Sequence, residues 1–300
     1  MSSSRVLVVG DANPDLVLRG DVVPRFGQVE QLLDGAHLVL GGSAGIAASG
    51  LARLGVPTWL VAVVGDDLFG REVLAALAAA GVSTEQVIVR AGEATGLSVH
   101  LSAPGDRAIL TLPGTIPLLS ADMVRAAIAE VAPSWVHVAS PFLTPALTAD
   151  LPALLAECRA AGIGTSLDTN WDPSGQWRGI AEALPYVDVL LPNRAEVDAL
   201  GGEQAIVALG PRAVVKDGAE GGWSLDASGA RVSAPGIPSE VVDTTGAGDS
   251  FDAGYLAAIA SGITDEAVRL RWATVAGSLS TRAAGGTAGQ ATLDELRAAL

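Results

Sequence analysis

The sequence predicts an α/β fold: a mostly parallel central sheet covered by helices, with a small β-sheet lid. Three observations carry that expectation. Short β-branched runs recur along the chain, helical segments lie between most of them, and Ala, Val, Leu and Gly dominate a composition with only 4% aromatic residues. Parallel strands buried on both faces read as unbroken apolar runs, and small-residue helices pack closely over them.

The strand candidates are 5–9, 59–64, 135–139, 163–167, 187–191 and 213–216. Between them, 44–54, 70–80, 121–130, 145–160 and 194–200 carry helical patterns, which gives the alternation of right-handed parallel crossovers. Two stretches break the rhythm, 16–40 and 96–112. In the second, 97–102 and 107–112 flank the turn Ala103-Pro104-Gly105-Asp106, a hairpin signal. Both stretches read as strands without intervening helices and are placed together as a lid that closes over substrate; the alternative is a pair of ordinary excursions from the sheet. No repeat at solenoid periods and no low-complexity linker interrupts the chain, so residues 1–300 are expected to form one domain.

The formal net charge is −15, from 18 basic and 33 acidic residues, and it opposes binding to a phosphate backbone. A nucleic-acid partner is therefore not expected. An anionic nucleotide remains compatible where amide groups, helix N-termini and a metal ion set the local field. Cys158 is the only cysteine, and the start of the sequence has no basic region followed by a cleavable apolar stretch, so a reducing cytoplasmic location is expected. Every apolar run is cut by charge, Gly or Pro before ~18 residues, too short to span a membrane.

Chemistry concentrates in Asp243-Thr244-Thr245-Gly246-Ala247-Gly248-Asp249. Val241-Val242 ends an extended segment, the small residues make a turn, and a helix begins at Ser250 with Phe251, Tyr255 and Ile259 as its apolar stripe. Amides of Gly246, Ala247 and Gly248 would then face the space before a helix N-terminus, where the macrodipole also favours negative charge. Asp249, in the first turn, is expected to stay ionised beside this anion hole and to accept a proton from a hydroxyl. A base next to an anion hole suits phosphoryl transfer; a helix cap is the plainer alternative for Asp249.

Asp-Thr-Thr-Gly-Ala-Gly-Asp-Ser-Phe-Asp-Ala-Gly resembles the C-terminal signature of PfkB-type, ribokinase-like carbohydrate kinases. The resemblance implies a ribokinase-like three-layer fold and an ATP-dependent carbohydrate kinase (EC 2.7.1.-), with Asp249 as catalytic base and the Gly246, Ala247 and Gly248 amides as the anion hole. A second signature is Gly41-Gly42-Ser43-Ala44-Gly45-Ile46 and the Ala-rich stretch to Gly55, which in the family helps to hold the sugar; a Gly hinge between lid and core is equally compatible. Asn13 and Asp15, in Gly10-Asp11-Ala12-Asn13-Pro14-Asp15, match the sugar-contacting segment, where an amide and a carboxylate can bond adjacent hydroxyls; a turn is the other reading.

Asn193 and Glu196 match the family's Asn-x-x-Glu element, implying water-bridged Mg²⁺ beside the nucleotide; a capping box fits the same pair. Lys216, Gly218 and Gly221 resemble the nucleotide loop, whose glycines let backbone approach a phosphate or ribose, although a β-turn into 223–225 would look alike. Gly248 also belongs to the nucleotide contacts, and Thr274 is the candidate adenine contact. Asp168 and Asn170 end a strand at the carboxyl edge, where open α/β sheets place ligands, and the family has an Asp and an Asn there. By position, Asp243, Thr245, Ser280, Ala283, Gly285 and Gly289 would surround a monovalent cation such as K⁺. A homodimer formed through the lid is a further implication.

The match departs from the family at Ile46, where many relatives carry an Asn that contacts sugar. It also lacks the Lys near Ser43 and the acidic residue near Ala139 of ribose-specific members, which counts against ribose itself. Ile46 leaves a nucleoside kinase as the alternative, and a catalytically silent binding protein as the rival of a different class. No Gly-x-Gly-x-x-Gly follows the first strand and no P-loop occurs, which excludes those two nucleotide-binding classes. His37, His100 and His137 are scattered, so zinc is not expected. His100 is placed on the lid, facing either substrate or solvent.

Overall fold

The computed structural model describes the backbone of residues 4–103 and 106–300; the predicted turn residues at 104–105 lie outside them. Its strands are β1 (Val6–Val9), β2 (Asn13–Gly20), β3 (Leu33–Gly41), β4 (Thr58–Val61), β5 (Val63–Gly65), β6 (Ile88–Arg90) and β7 (Leu97–Ala103). They continue with β8 (Asp106–Leu112), β9 (Trp135–Ala139), β10 (Gly164–Asp168), β11 (Val189–Leu190), β12 (Arg212–Lys216), β13 (Gly222–Leu225) and β14 (Arg231–Ala234). The helices α1 (Ser43–Arg53), α2 (Leu68–Ala79), α3 (Ala121–Val131), α4 (Pro145–Thr148), α5 (Leu151–Ala160) and α6 (Ile180–Ala183) lie in the first two thirds. After them come α7 (Arg194–Ala199), α8 (Glu203–Ala208), α9 (Ala247–Ala260), α10 (Glu266–Ser280) and α11 (Leu293–Ala299).

Eight strands form the main sheet in the order β14-β13-β12-β11-β10-β9-β1-β4. From β12 to β4 every neighbour is parallel, while β13 and β14 close the edge antiparallel. Side chains of β1 alternate between two cores. Leu7 and Val9 pack with α3 and α5 on one face, and Val6 and Val8 pack with α1, α9 and α10 on the other. The layers are therefore helix, sheet, helix, the α/β architecture that the alternating pattern predicted.

Two predicted elements are split. The 59–64 run divides at Ala62 between the main sheet and a separate two-stranded pair, β5 with β6. The 145–160 helix breaks at 149–150, where Asp150 takes up a non-helical conformation and Pro152 opens α5; a proline is tolerated in the first turn, where its missing N–H costs nothing. The extended segment expected at Val241-Val242 is irregular backbone, and both valines are exposed.

The lid is a four-stranded sheet, β3-β2-β7-β8, and it begins earlier than the alternation suggested, at Asn13. Asn13 and Asp15 are therefore strand residues, not a turn. Successive residues of a strand face opposite sides. Asn13, Asp15 and Val17 on β2, with Ser98 and His100 on β7, are buried toward the core, while Leu38, Leu110 and Leu112 on the opposite face are exposed. Among the described residues no helix is long and apolar enough to cross a membrane.

Candidate active site

Gly246 caps α9 with φ 72°, and a Cβ there would lie 2.7 Å from Gly286 Cα; only glycine fits both the conformation and the space. The helix starts at Ala247, earlier than the expected Ser250. Ala247 N–H donates to the Thr244 carbonyl at 3.2 Å, closing the turn, so it is not available to a ligand as the sequence reading proposed. The N–H groups of Gly246 and Gly248 have no partner among the described residues, as the first turn of a helix requires. The two amides sit where two cavities meet.

The first cavity, about 490 Å³, lies between lid and sheet edge and is lined by Asn13, Asp15, Gly42, Ser43, His100 and Asp249 among others. Gly41, the last residue of β3, has no room for a side chain: a Cβ would fall 2.1 Å from the Asp15 carboxyl carbon. Asp15 itself is fixed by Asn13 Nδ2 on Oδ1 at 3.0 Å and by His100 Nε2 against Oδ2 at 3.2 Å. His100 thus faces the cavity, and its Nδ1 is buried without a partner among the described residues. His37 is exposed on the lid and His137 is buried beneath the sheet against Ser166.

The second cavity, about 630 Å³, runs along the other side of the turn. Gly218, Gly221, Ile237, Phe251, Thr274 and Gly277 line it, giving apolar walls with exposed backbone edges. Thr274 is buried and its hydroxyl donates to the Arg271 carbonyl, so it offers a methyl to the cavity more readily than a hydrogen bond. Lys216, Thr244 and Gly248 line both cavities.

Beneath the boundary lies a buried charge cluster. Lys216 Nζ donates to Asp168 Oδ2 at 2.7 Å and to Asp252 Oδ2 at 3.0 Å. Burial alone would push Lys216 down, but the carboxylates of Asp168, Asp252 and Glu196 hold it well above its usual value. Asp168 is lowered because Lys216 outweighs the effect of its burial, whereas Asp252 is raised well above the usual range by burial and the adjacent Asp168. One ammonium thus serves two buried carboxyls, whose affinities for a proton it and their mutual repulsion drive apart.

Asp249 departs from expectation. It is buried, not exposed beside the turn, and burial with the nearby charge of Asp168 pushes it up to about 7 despite Lys216 and a Ser43 hydrogen bond. Helix-dipole and amide effects favour the anion, but desolvation is larger at a site this enclosed.

Asn193 and Glu196 form the complete capping box: Asn193 accepts from the Glu196 amide at 3.0 Å, and Glu196 Oε2 accepts from the Asn193 amide at 2.9 Å. They also line the first cavity, and burial followed by the charge of Asp168 pushes Glu196 up to about 7. Asp243 accepts from Thr245 N–H and hydroxyl through Oδ1 and from Gly285 N–H through Oδ2, with Arg19 of the lid 3.9 Å away. A Cβ on Gly289 would meet the Ser280 carbonyl at 2.1 Å and the Ala283 amide at 3.1 Å, so Ser280, Ala283 and Gly289 gather in one corner. The Gly289 carbonyl already accepts from Arg282 Nε at 3.2 Å, and the Ser280 hydroxyl donates to Gly277.

The sequence profile described as "pfkB family carbohydrate kinase" matches residues 3–293. Ribokinase of Bacillus subtilis is 30% identical over 294 residues, covering 97% of each chain. The chain belongs to the PfkB family of carbohydrate kinases. Fructokinase of Klebsiella pneumoniae is 29% identical, with 99% of this chain and 100% of that protein covered. The structure of Arabidopsis thaliana ribokinase complexed with ribose and ATP aligns with TM-score 0.83 at 25% identity, covering 99% of this kinase and 98% of that chain.

In this kinase the structure adds residues that were quoted in motifs without a role, or passed over. Asp252 lies one turn after Asp249, a spacing that places both on one helix face and was legible. Asp11 is buried and accepts from the Ala44 amide at 3.2 Å, and burial raises it. Asn170 binds Ser140, Ser43 and Asp168 through its side chain, tying three segments together at the sheet edge. Trp171 and Leu143 also line the cavity, and nothing in their local pattern marks them.

Proposed function

We propose that this kinase transfers the γ-phosphoryl group of ATP to a hydroxyl of a neutral sugar or related polyol. One observation carries the reading. Two cavities, one polyol-sized and one with apolar walls and exposed backbone edges, share the Gly248 turn, and Asp249 stands on the acceptor side of it. Asp249 accepts the hydroxyl proton, the oxygen attacks phosphorus, and the bond to the leaving phosphate of ADP breaks. The free amides of Gly246 and Gly248 stabilise charge on the group in transfer. Asn13 and Asp15 hold vicinal hydroxyls, with Gly41, Gly42 and Ser43 forming the close backbone wall. Gly218, Gly221 and Thr274 line the nucleotide side, with Lys216 at its boundary.

The residues present suit a hard cation with the nucleotide, since Asn193, Glu196 and Asp249 bring oxygen donors to the cavity. Asn193 and Glu196 would hold Mg²⁺ through water, and the ion would neutralise phosphate charge. Asp243, Thr245, Ser280, Ala283, Gly285 and Gly289 form the candidate K⁺ corner; Asp243 supplies the anionic oxygen there, and Arg19 and Arg282 compete for two of the acceptors.

Electrostatics favours a neutral acceptor. Asp11, Asp15, Asp168, Glu196 and Asp249 line its cavity, and Lys216, already bonded to two carboxyls, is the only Lys or Arg among the described lining residues. A phosphorylated or acidic sugar would meet like charge without a free partner. A nucleoside acceptor is the second reading, supported by Ile46 in the wall at a position that offers no hydrogen bond. ATP consumption with neutral sugars, sugar phosphates, sugar acids and nucleosides tests both. Turnover confined to neutral sugars supports the first reading, turnover confined to nucleosides supports the second, and preference for an anionic sugar contradicts both.

A further inference from the structure

The acceptor cavity has two unlike sides. Asn13, Asp15, Ser98 and His100 make a polar wall on the lid, and Ile46, Leu143 and Trp171 contribute apolar surface. Trp171 is the outlier among them. It lines the cavity, yet 58% of it is exposed, so a broad indole surface stands open at the mouth instead of being consumed in the core.

The indole is held by a clasp built around it. Asn170 takes the left-handed conformation, φ 49°, and its side chain accepts from the Ser140 N–H and hydroxyl and donates to Ser43. That fixes the backbone entering Trp171. On the other side, Asp172 collects the amides of Ser174, Gln176 and Trp177 and the hydroxyl of Ser174. This folds the loop back so that Trp177 meets Trp171 edge-on at 5.3 Å and 88°. Trp177 in turn packs edge-on against Phe142 at 5.3 Å and 84°. Edge-to-face contacts at such distances are favourable and orient both rings. Four side-chain-to-backbone bonds, three bonds between side chains and two ring contacts are a large set for a loop that carries no ligand.

We propose that Trp171 selects the acceptor by stacking against the C–H face of the sugar ring while the polar wall receives its hydroxyls, and that Asp172 and Trp177 are positioning residues for the indole. A cyclic sugar has this two-sided chemistry, hydroxyls at its rim and C–H bonds on its faces, and a flat, oriented aromatic surface opposite hydrogen-bonding groups matches it. The inference rests on the reading of this cavity as the acceptor site.

The test uses the full chain with D-ribose, D-fructose and D-glucose, measuring kcat and KM for sugar and for ATP and the tryptophan emission on adding sugar without nucleotide. For a sugar that the wild type phosphorylates, Trp171→Ala should raise the sugar KM about tenfold with kcat within about threefold and ATP KM unchanged, and Trp171→Phe should keep most of the affinity. The sugar-induced emission change should vanish in Trp171→Phe and persist in a Trp59→Phe control. A sugar KM within twofold of wild type in Trp171→Ala, an equal rise in ATP KM, or an emission change that survives in Trp171→Phe overturns Trp171 alone and leaves the kinase reading standing. Absence of wild-type turnover with all three sugars contradicts the neutral-sugar reading and this proposal with it.

Discussion

The ammonium of Lys216 lies 2.7 Å from Asp168 Oδ2, at the place where the two cavities meet. Asp252 completes the pair from α9 at 3.0 Å. Removing one partner of a buried charge network leaves the other desolvated and unpaired, which costs about 3–5 kcal/mol. Lys216→Met should therefore lower the urea midpoint by that equivalent and reduce kcat, because the cation nearest Gly248 is lost. Lys216→Arg keeps the charge, so an unfolding midpoint for Lys216→Met equal to wild type would contradict the pairing.

The acid limb of the rate profile follows from Asp249. Its carboxyl is pushed up to about 7 by burial and by Asp168, so the base form fills as pH rises through that value. Below it, kcat/KM should fall by about tenfold per pH unit, with a plateau above. Glu196, also pushed up to about 7, will steepen that limb if its ionisation is needed as well. A profile flat from pH 5 to 8 would rule out Asp249 as a base titrating there.

Stability should move the opposite way. A carboxyl raised in the folded state favours the protonated form, so its stabilising contribution is complete below the ordinary carboxylate range and is lost as pH climbs through about 7. Asp249→Asn keeps the neutral form at every pH. It should melt higher than wild type at pH 8, by a few degrees, with a smaller gap at pH 5 that closes only below the ordinary carboxylate range, as calorimetry at the two pH values would reveal. A lower melting point at both would contradict the assignment of desolvation as the cause.

Packing of α9 on α10 depends on Gly254. A Cβ there would lie 2.6 Å from the Trp272 carbonyl and 2.7 Å from Ala276 Cβ, and the carbonyl belongs to backbone that cannot rotate away. Gly254→Ala gains up to about 1 kcal/mol of helix propensity. Overpacking costs about 1–3 kcal/mol, so net destabilisation is expected by urea unfolding. An unchanged midpoint would show that the two helices can separate freely.

Local patterns made the sheet readable because parallel strands bury both faces and so print as apolar runs such as Val6–Val9. They also located the Gly246 turn and the Asn193–Glu196 box, whose chemistry is short-range in sequence. The start of the lid at Asn13 was hidden, since β2 pairs with β3 and β7 through partners as distant as Ser98. The raised Asp249 was hidden for a similar reason: its burial, and the charges of Asp168 and Asp11 beside it, arise only where the sheet edge brings these segments together. Trp171 could not be singled out, because its exposure beside a cavity depends on Asn170, Asp172 and Trp177 closing the loop.

The central claim is that Asp249 takes the proton from the acceptor hydroxyl. Single-turnover phosphoryl transfer from ATP to a sugar phosphorylated by the wild type, compared with Asp249→Asn alongside ATP binding by calorimetry, tests it most directly. Loss of at least about two orders of magnitude in rate, with ATP affinity within about threefold of wild type, is the predicted result. Transfer by Asp249→Asn at a rate near that of wild type would contradict the account.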